Sequence, residues 1–219
     1  MIIALFLFEY VQYNVSIRRV LRGKRMGKKR TNPHKIPISF TKEDREKLVN
    51  EASVNSLYYA WLLVLPVLLE NEGMGINQVA DIWDSANNYA IDPSNRGEAL
   101  ISNMAYAETL MGYPAPYKGL VISDIKTKGE LESFKKKLHR KAVYSAFSVI
   151  CLGMDALRTF STDDLQRIFL NANISLAEIE AGCTTYEQMS SQIEKNGIIL
   201  QMGESGVVRL RQQASEKAS

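Results

Sequence analysis

The sequence predicts an all-α protein built from two related three-helix units packed as a pseudo-symmetric helical body. Three observations point there: apolar residues recur at spacings of 3 and 4 along most of the chain, Gly and Pro punctuate the intervals, and the second half repeats the first at an offset of 86 residues. A chain of 219 residues can hold one large domain or two small ones. Its hydrophobic share of 46% is ordinary for a globular protein and argues against wholesale disorder.

Residues 1–38 read as a basic N-terminal arm, in which Asn32-Pro33 and Ile36-Pro37 favour extended backbone before Ser39. The first unit spans 39–112. Thr41 with Asp44 three residues on forms an N-cap arrangement, opening a helix from about Lys42 to Glu70. This helix becomes apolar all round after Leu57, so it is expected to be buried, and Pro66 is expected to bend it. Glu72-Gly73-Met74-Gly75 ends it. A second helix carries Ile76, Val79, Trp83 and Ala86 on one face. After the Asp92–Asn95 loop, a third runs from about Glu98 to Met111 with Leu100, Met104, Ala107 and Met111 aligned.

Residues 113–127 form a Pro-rich linker, with Leu120-Val121-Ile122 as a short strand or docked loop. The second unit spans 128–200. It has a long helix from Lys128 to about Leu157, and a shorter one opened by Ser161 and Asp164 that carries Leu165, Ile168, Phe169 and Ala172. A last helix is opened by the Thr185/Gln188 capping box and stopped by Gly197. Residues 201–219 read as a disordered tail.

The repeat aligns Tyr58 with Tyr144, Ala60-Trp61 with Ala146-Phe147, Val79 with Leu165, Trp83 with Phe169 and Asn87 with Asn173 without a gap. It then continues at an offset of 85, pairing Gly97 with Gly182, Met104 with Met189 and Gly112 with Gly197. Neither unit buries its apolar face well alone, so the two are expected to pack together.

Charge is unevenly spread. Nine basic residues and no acid lie between Arg18 and Lys35; subtracting them from the formal net charge of +3 leaves −6 for the rest. A basic arm on an acidic body suggests attraction to phosphate or to an acidic surface. Arg22-Gly23-Lys24-Arg25 before Met26 back-translates to a purine-rich run suited to a ribosome-binding site, so Met26 is an alternative start and residues 1–25 are candidates for upstream sequence. A second basic cluster contains Lys126, Lys128, Lys135, Lys136, Lys137, Arg140 and Lys141, of which Lys137, Arg140 and Lys141 share a helical face near Phe134. The candidate contacts to nucleic acid or to an acidic partner are therefore Lys28, Lys29, Arg30, Lys35, Lys136, Lys137, Arg140 and Lys141.

Signals for chemistry are sparse. Two His and two Cys without a CxxC exclude a multi-histidine centre, a zinc ribbon and a disulfide scaffold. The glycine runs match neither the Walker nor the Rossmann pattern. Asp81 and Asp84, three apart on one helix, read as a solvated polar face rather than a metal pair. Cys151 reads as core, as do Trp61 and Trp83 with Tyr58 and Tyr59. No cofactor or metal is expected. The longest apolar run, Leu57 to Leu69, falls short of the roughly 20 residues that span a bilayer. Met1–Phe8 has no preceding basic segment of the kind a secretory signal requires. The expected location is thus the cytoplasm, with no membrane partner.

From Met26 the chain resembles a family of short helical proteins from phages and prophages of Gram-positive bacteria. The likeness rests on Met26-Gly27-Lys28-Lys29-Arg30, Asn32-Pro33-His34-Lys35, Ala60-Trp61, Glu72-Gly73 and Ile82-Trp83; it covers about Met26 to Ala86 and recurs faintly after Lys141. The chain departs from the pattern at Pro66, around Asp92-Pro93 and in carrying a second copy. The family has no agreed activity, and its motifs mark helix packing. The resemblance implies a phage-like setting, in which small non-enzymatic proteins bind and block a host or defence protein, alone or in a nucleoprotein complex. The alternative expectation is a DNA- or RNA-binding accessory or regulatory protein, and an enzyme with a site between the units is third. A homodimer is compatible with either of the first two.

Overall fold

Side-chain hydrogen bonds at the N-terminus open five of the helices in the computed structural model, which describes residues 38–95, 98–116, 125–202 and 208–212. Lys28, Lys29, Arg30 and Lys35, with the rest of residues 1–37, and Leu120–Ile122 lie outside the described residues. Helix α1 runs over Lys42–Pro66 and continues into a π-helical turn, Val67–Asn71; α2 is Ile76–Ile91, followed by a 3-10 turn at Pro93–Asn95; α3 is Glu98–Met111. The second half comprises α4 (Lys128–Ala156), α5 (Thr162–Glu180), α6 (Tyr186–Lys195) and two strands, β1 (Ile198–Met202) and β2 (Val208–Gln212). The architecture is mainly α, as the periodicity predicts.

The caps are local chemistry. Thr41 Oγ1 accepts from the Asp44 amide at 3.1 Å while Asp44 Oδ2 accepts from the Thr41 amide at 2.8 Å. Thr127 with Glu130, Ser161 with Asp164 and Thr185 with Gln188 repeat the arrangement. At Gly75, which has no side chain to offer, only the return half is made, from the Gly75 amide to Gln78 Oε1 at 2.9 Å. Each cap satisfies helix-terminal amides that would otherwise have no partner.

Pro66 does not end the first helix. Having no N–H, it removes one ladder bond, and the chain widens into the π turn, where the Glu72 amide donates to Val67 O at 3.0 Å. Gly73 then turns the chain in the left-handed region, at φ 63°.

The long helices α1 and α4 pack on each other and form the centre of the molecule. Around them α2 and α3 lie against α4, while α5 and α6 lie against α1, and α3 meets α5. Residues 60–68 are buried without interruption, as expected of a helix apolar on all sides. Trp61 stacks on Trp83 with ring centroids 4.7 Å apart, and Phe147 meets Phe169 edge-on at 5.8 Å. One main core cluster draws on all six helices and both strands. A satellite cluster of Val49, Ile125, Phe134 and Leu138 joins the N-terminal ends of α1 and α4, and the Ile38 amide donates to Lys126 O beside it. Lys42–Asn71 is long and apolar enough to cross a membrane by length and composition, yet 67% of its apolar window is buried inside the fold, as in a core helix.

One expectation is corrected. The tail expected to be disordered from 201 carries a strand: β2 pairs antiparallel with β1, Leu200 opposite Leu210, and Val208 joins the core. Four apolar side chains in the hairpin (Ile198, Leu200, Val208 and Leu210) supply the burial that the polar composition of the tail concealed.

Candidate functional site

The basic face of α4 is narrower than its sequence spacing suggests. Lys135, Lys136 and Lys137 are exposed. Arg140, half-buried, donates from Nη1 to Glu180 Oε2 at 2.9 Å and so ties α4 to the end of α5. Lys141 is only 3% exposed, and burial pushes its amine down to about 8. The reading of Lys141 as an outward phosphate contact is therefore corrected. It continues the buried stripe Phe134, Leu138, Lys141, Ser145, whose 4-3-4 spacing is visible in the sequence and outweighs the residue's charge. Lys135 pairs with Glu132 at 3.2 Å, a surface contact of small energetic weight.

Next to this face lies an aromatic cluster that the sequence does not reveal. His139 Nε2 and Tyr186 Oη form a hydrogen bond of 2.8 Å. The Tyr59 ring stacks on Tyr186 at 4.3 Å and meets His139 at 5.2 Å. The three groups come from α4, α6 and α1, so the cluster fastens the start of α6 to both long helices. Burial holds the His139 imidazole below its ordinary value of 6.5 and pushes the Tyr186 phenol up, helped by the negative charge of Glu180. Both partners are therefore neutral at pH 7, and the pair positions helices rather than moving protons.

A pH dependence follows. Because the folded state resists protonation of His139, the unfolded chain binds more protons below about pH 6.5, and stability falls as pH drops through that value. Urea midpoints measured between pH 7.5 and 5.5 should decline in the wild type and decline less in His139→Gln. Equal slopes would rule the histidine out as the source.

On the far side of α2 is a groove of about 520 Å³ between that helix and the turn joining α4 to α5. Met74, Ile82, Leu157 and Phe160 give it apolar walls, and Asp81 and Asp84 both face it. The two carboxylates do share one side of α2, as their spacing predicts, and both are exposed. Neither has a hydrogen-bond or ion-pair partner among the described residues, and no group of three metal-ligating side chains forms there or elsewhere among them. The wall opposite α2 depends on Arg158, which takes φ 58° just after α4, a left-handed conformation usually left to glycine at a helix end.

Cys151 is buried in the core, where burial and Asp155 push its thiol up, while Cys183 is exposed in the turn before α6. On α5, Leu165, Ile168, Phe169 and Ala172 face inward, and Leu170 and Ile174 lie on the opposite side, 52% and 48% exposed. No family model, curated protein or solved structure matches the chain.

Proposed function

We propose that this chain is a non-enzymatic interaction protein that binds and blocks a host or defence macromolecule in the cytoplasm, in the phage-like setting its resemblance implies. The observation that carries this reading is the outer face of α5. Leu170 and Ile174 stand one turn apart on a helix whose core-facing stripe is already complete, so they contribute nothing to the core and present adjoining aliphatic surface to a partner. A second reading, nucleic-acid binding, draws on the three consecutive exposed lysines Lys135–Lys137 together with the basic arm.

The same reading includes duplication of a three-helix unit. It is supported by caps at one offset, Thr41 with Thr127 and Gly75 with Ser161, and by ring contacts at that offset, Trp61–Trp83 and Phe147–Phe169. It is supported too by reciprocal packing, in which each long helix carries the short helices of the other half.

Affinity capture from host lysate, with and without nuclease, tests the proposal. We expect capture to survive nuclease, to be lost in Leu170→Glu/Ile174→Glu, and to persist when Lys135, Lys136 and Lys137 are changed to Glu. Loss on nuclease treatment, with loss in the lysine variant, favours the second reading and ends the first.

A further inference from the structure

At the offset of 86 residues, Glu72 corresponds to Arg158 and Asp81 to Arg167. These four residues occupy two places where a short helix passes the turn that follows a long one. In one place the gap is closed by charge. Arg167 Nε donates to Glu72 Oε1 at 3.0 Å and Nη2 to Oε2 at 2.7 Å, and Nη2 also donates to Asp164 Oδ1 at 2.8 Å. A guanidinium thus lies across two carboxylates, one from the turn and one from its own helix.

In the other place the signs are reversed and the closure is missing. Asp81 is on the short helix and Arg158 in the turn, and among the described residues no ion pair joins them. What lies between α2 and the turn is the open groove, lined by four apolar side chains and by two carboxylates that, among the described residues, have no partner and no basic side chain beside them in the lining.

We propose that this groove docks an arginine-bearing, otherwise apolar segment of a partner protein. The guanidinium sits on Asp81 and Asp84, and its aliphatic stem lies along the half-buried Leu157 and Phe160. Charge complementarity selects a cation, the apolar walls select one on a carbon stem, and Arg167 on Glu72 and Asp164 supplies the template from within the same molecule. Arginine is favoured over lysine because its planar fork matches carboxylates two bonds at a time and is less strongly hydrated. The volume falls within the roughly 300–1,000 Å³ of small binding sites. The template rests on the duplicated-unit reading above; the groove and its carboxylates do not.

The test is a fluorescence-anisotropy titration of the full chain with a labelled nine-residue peptide alternating Arg and Leu. We expect saturable binding that weakens by about tenfold or more in Asp81→Asn/Asp84→Asn and also when Lys replaces Arg in the peptide. The control Asp163→Asn/Glu178→Asn, on the outer side of α5, should bind like the wild type. All four positions are exposed, and unchanged thermal unfolding shows that each variant is folded. Absence of binding, equal affinity in wild type and Asp81→Asn/Asp84→Asn, or an equal loss in the control overturns the proposal. Lysate capture that is lost in Leu170→Glu/Ile174→Glu while the peptide fails to bind ends the groove proposal alone and leaves the interaction reading standing.

Discussion

Replacing Gly153 with leucine is expected to destabilise the fold by about 3 kcal/mol or more, at the upper end of what overpacking a core costs. A Cβ at this position lies 2.4 Å from Ala86 Cα and 2.6 Å from Ala86 N, closer than real Cβ atoms approach. These are backbone atoms of α2, and no side-chain rotation relieves the contact. The helices must move apart, and with them goes the bond from Ser85 Oγ to Gly153 O, 2.7 Å long. Even alanine, which favours helix by about 1 kcal/mol over glycine, should lose stability here. Gly129, in the first turn of the same helix, has nothing within 4 Å of its added Cβ, so Gly129→Ala should be neutral or stabilising. Urea denaturation of the three variants checks this contrast, and a stable Gly153→Leu would refute the close crossing of α2 and α4.

Phe147→Ala should cost about 3–5 kcal/mol. Its ring is fully buried at the centre of α4, against Phe169, and its loss leaves a cavity in the shared core. The residue at the corresponding place in α1 is Trp61, also fully buried, whose indole N–H has no acceptor among the described residues. That orphan donor makes Trp61→Phe an informative comparison. Losing contact area costs stability, removing an unsatisfied buried donor returns some, and the net change should stay below about 1.5 kcal/mol. A loss as large as that of Phe147→Ala would mean that the two aromatic sites are not alike.

Those substitutions act on features of very different visibility in the sequence. Caps are legible because three or four neighbouring residues make them, and Thr41, Thr127, Ser161 and Thr185 all open helices, three of them where the capping pattern predicts. The burial of Trp61 and Trp83 is legible from apolar periodicity. The β1–β2 hairpin is not, because five-residue strands leave little pattern and the arginines of β2 mask Val208 and Leu210.

The candidate sites divide in the same way. Asp81 and Asp84 belong to one helix, and their shared face follows from spacing alone. The wall they face comes from Leu157–Phe160, 73 or more residues away, and exists because Arg158 adopts a conformation no local rule assigns to arginine. His139 and Tyr186 meet across 47 residues through the packing of α4 and α6, which no motif encodes. Lys141 is the misleading residue: its charge argues for solvent, whereas its place in the Phe134–Leu138–Ser145 stripe argues for burial and prevails.

Both halves share one core, with each long helix clad by the short helices of the other. A protease site placed within 117–124 and cut after folding tests this most directly, read by size-exclusion chromatography and thermal unfolding of the cut chain. The halves should stay together as one particle and melt in a single cooperative transition. Halves that part in native buffer, or that unfold in two independent transitions, would contradict a shared core.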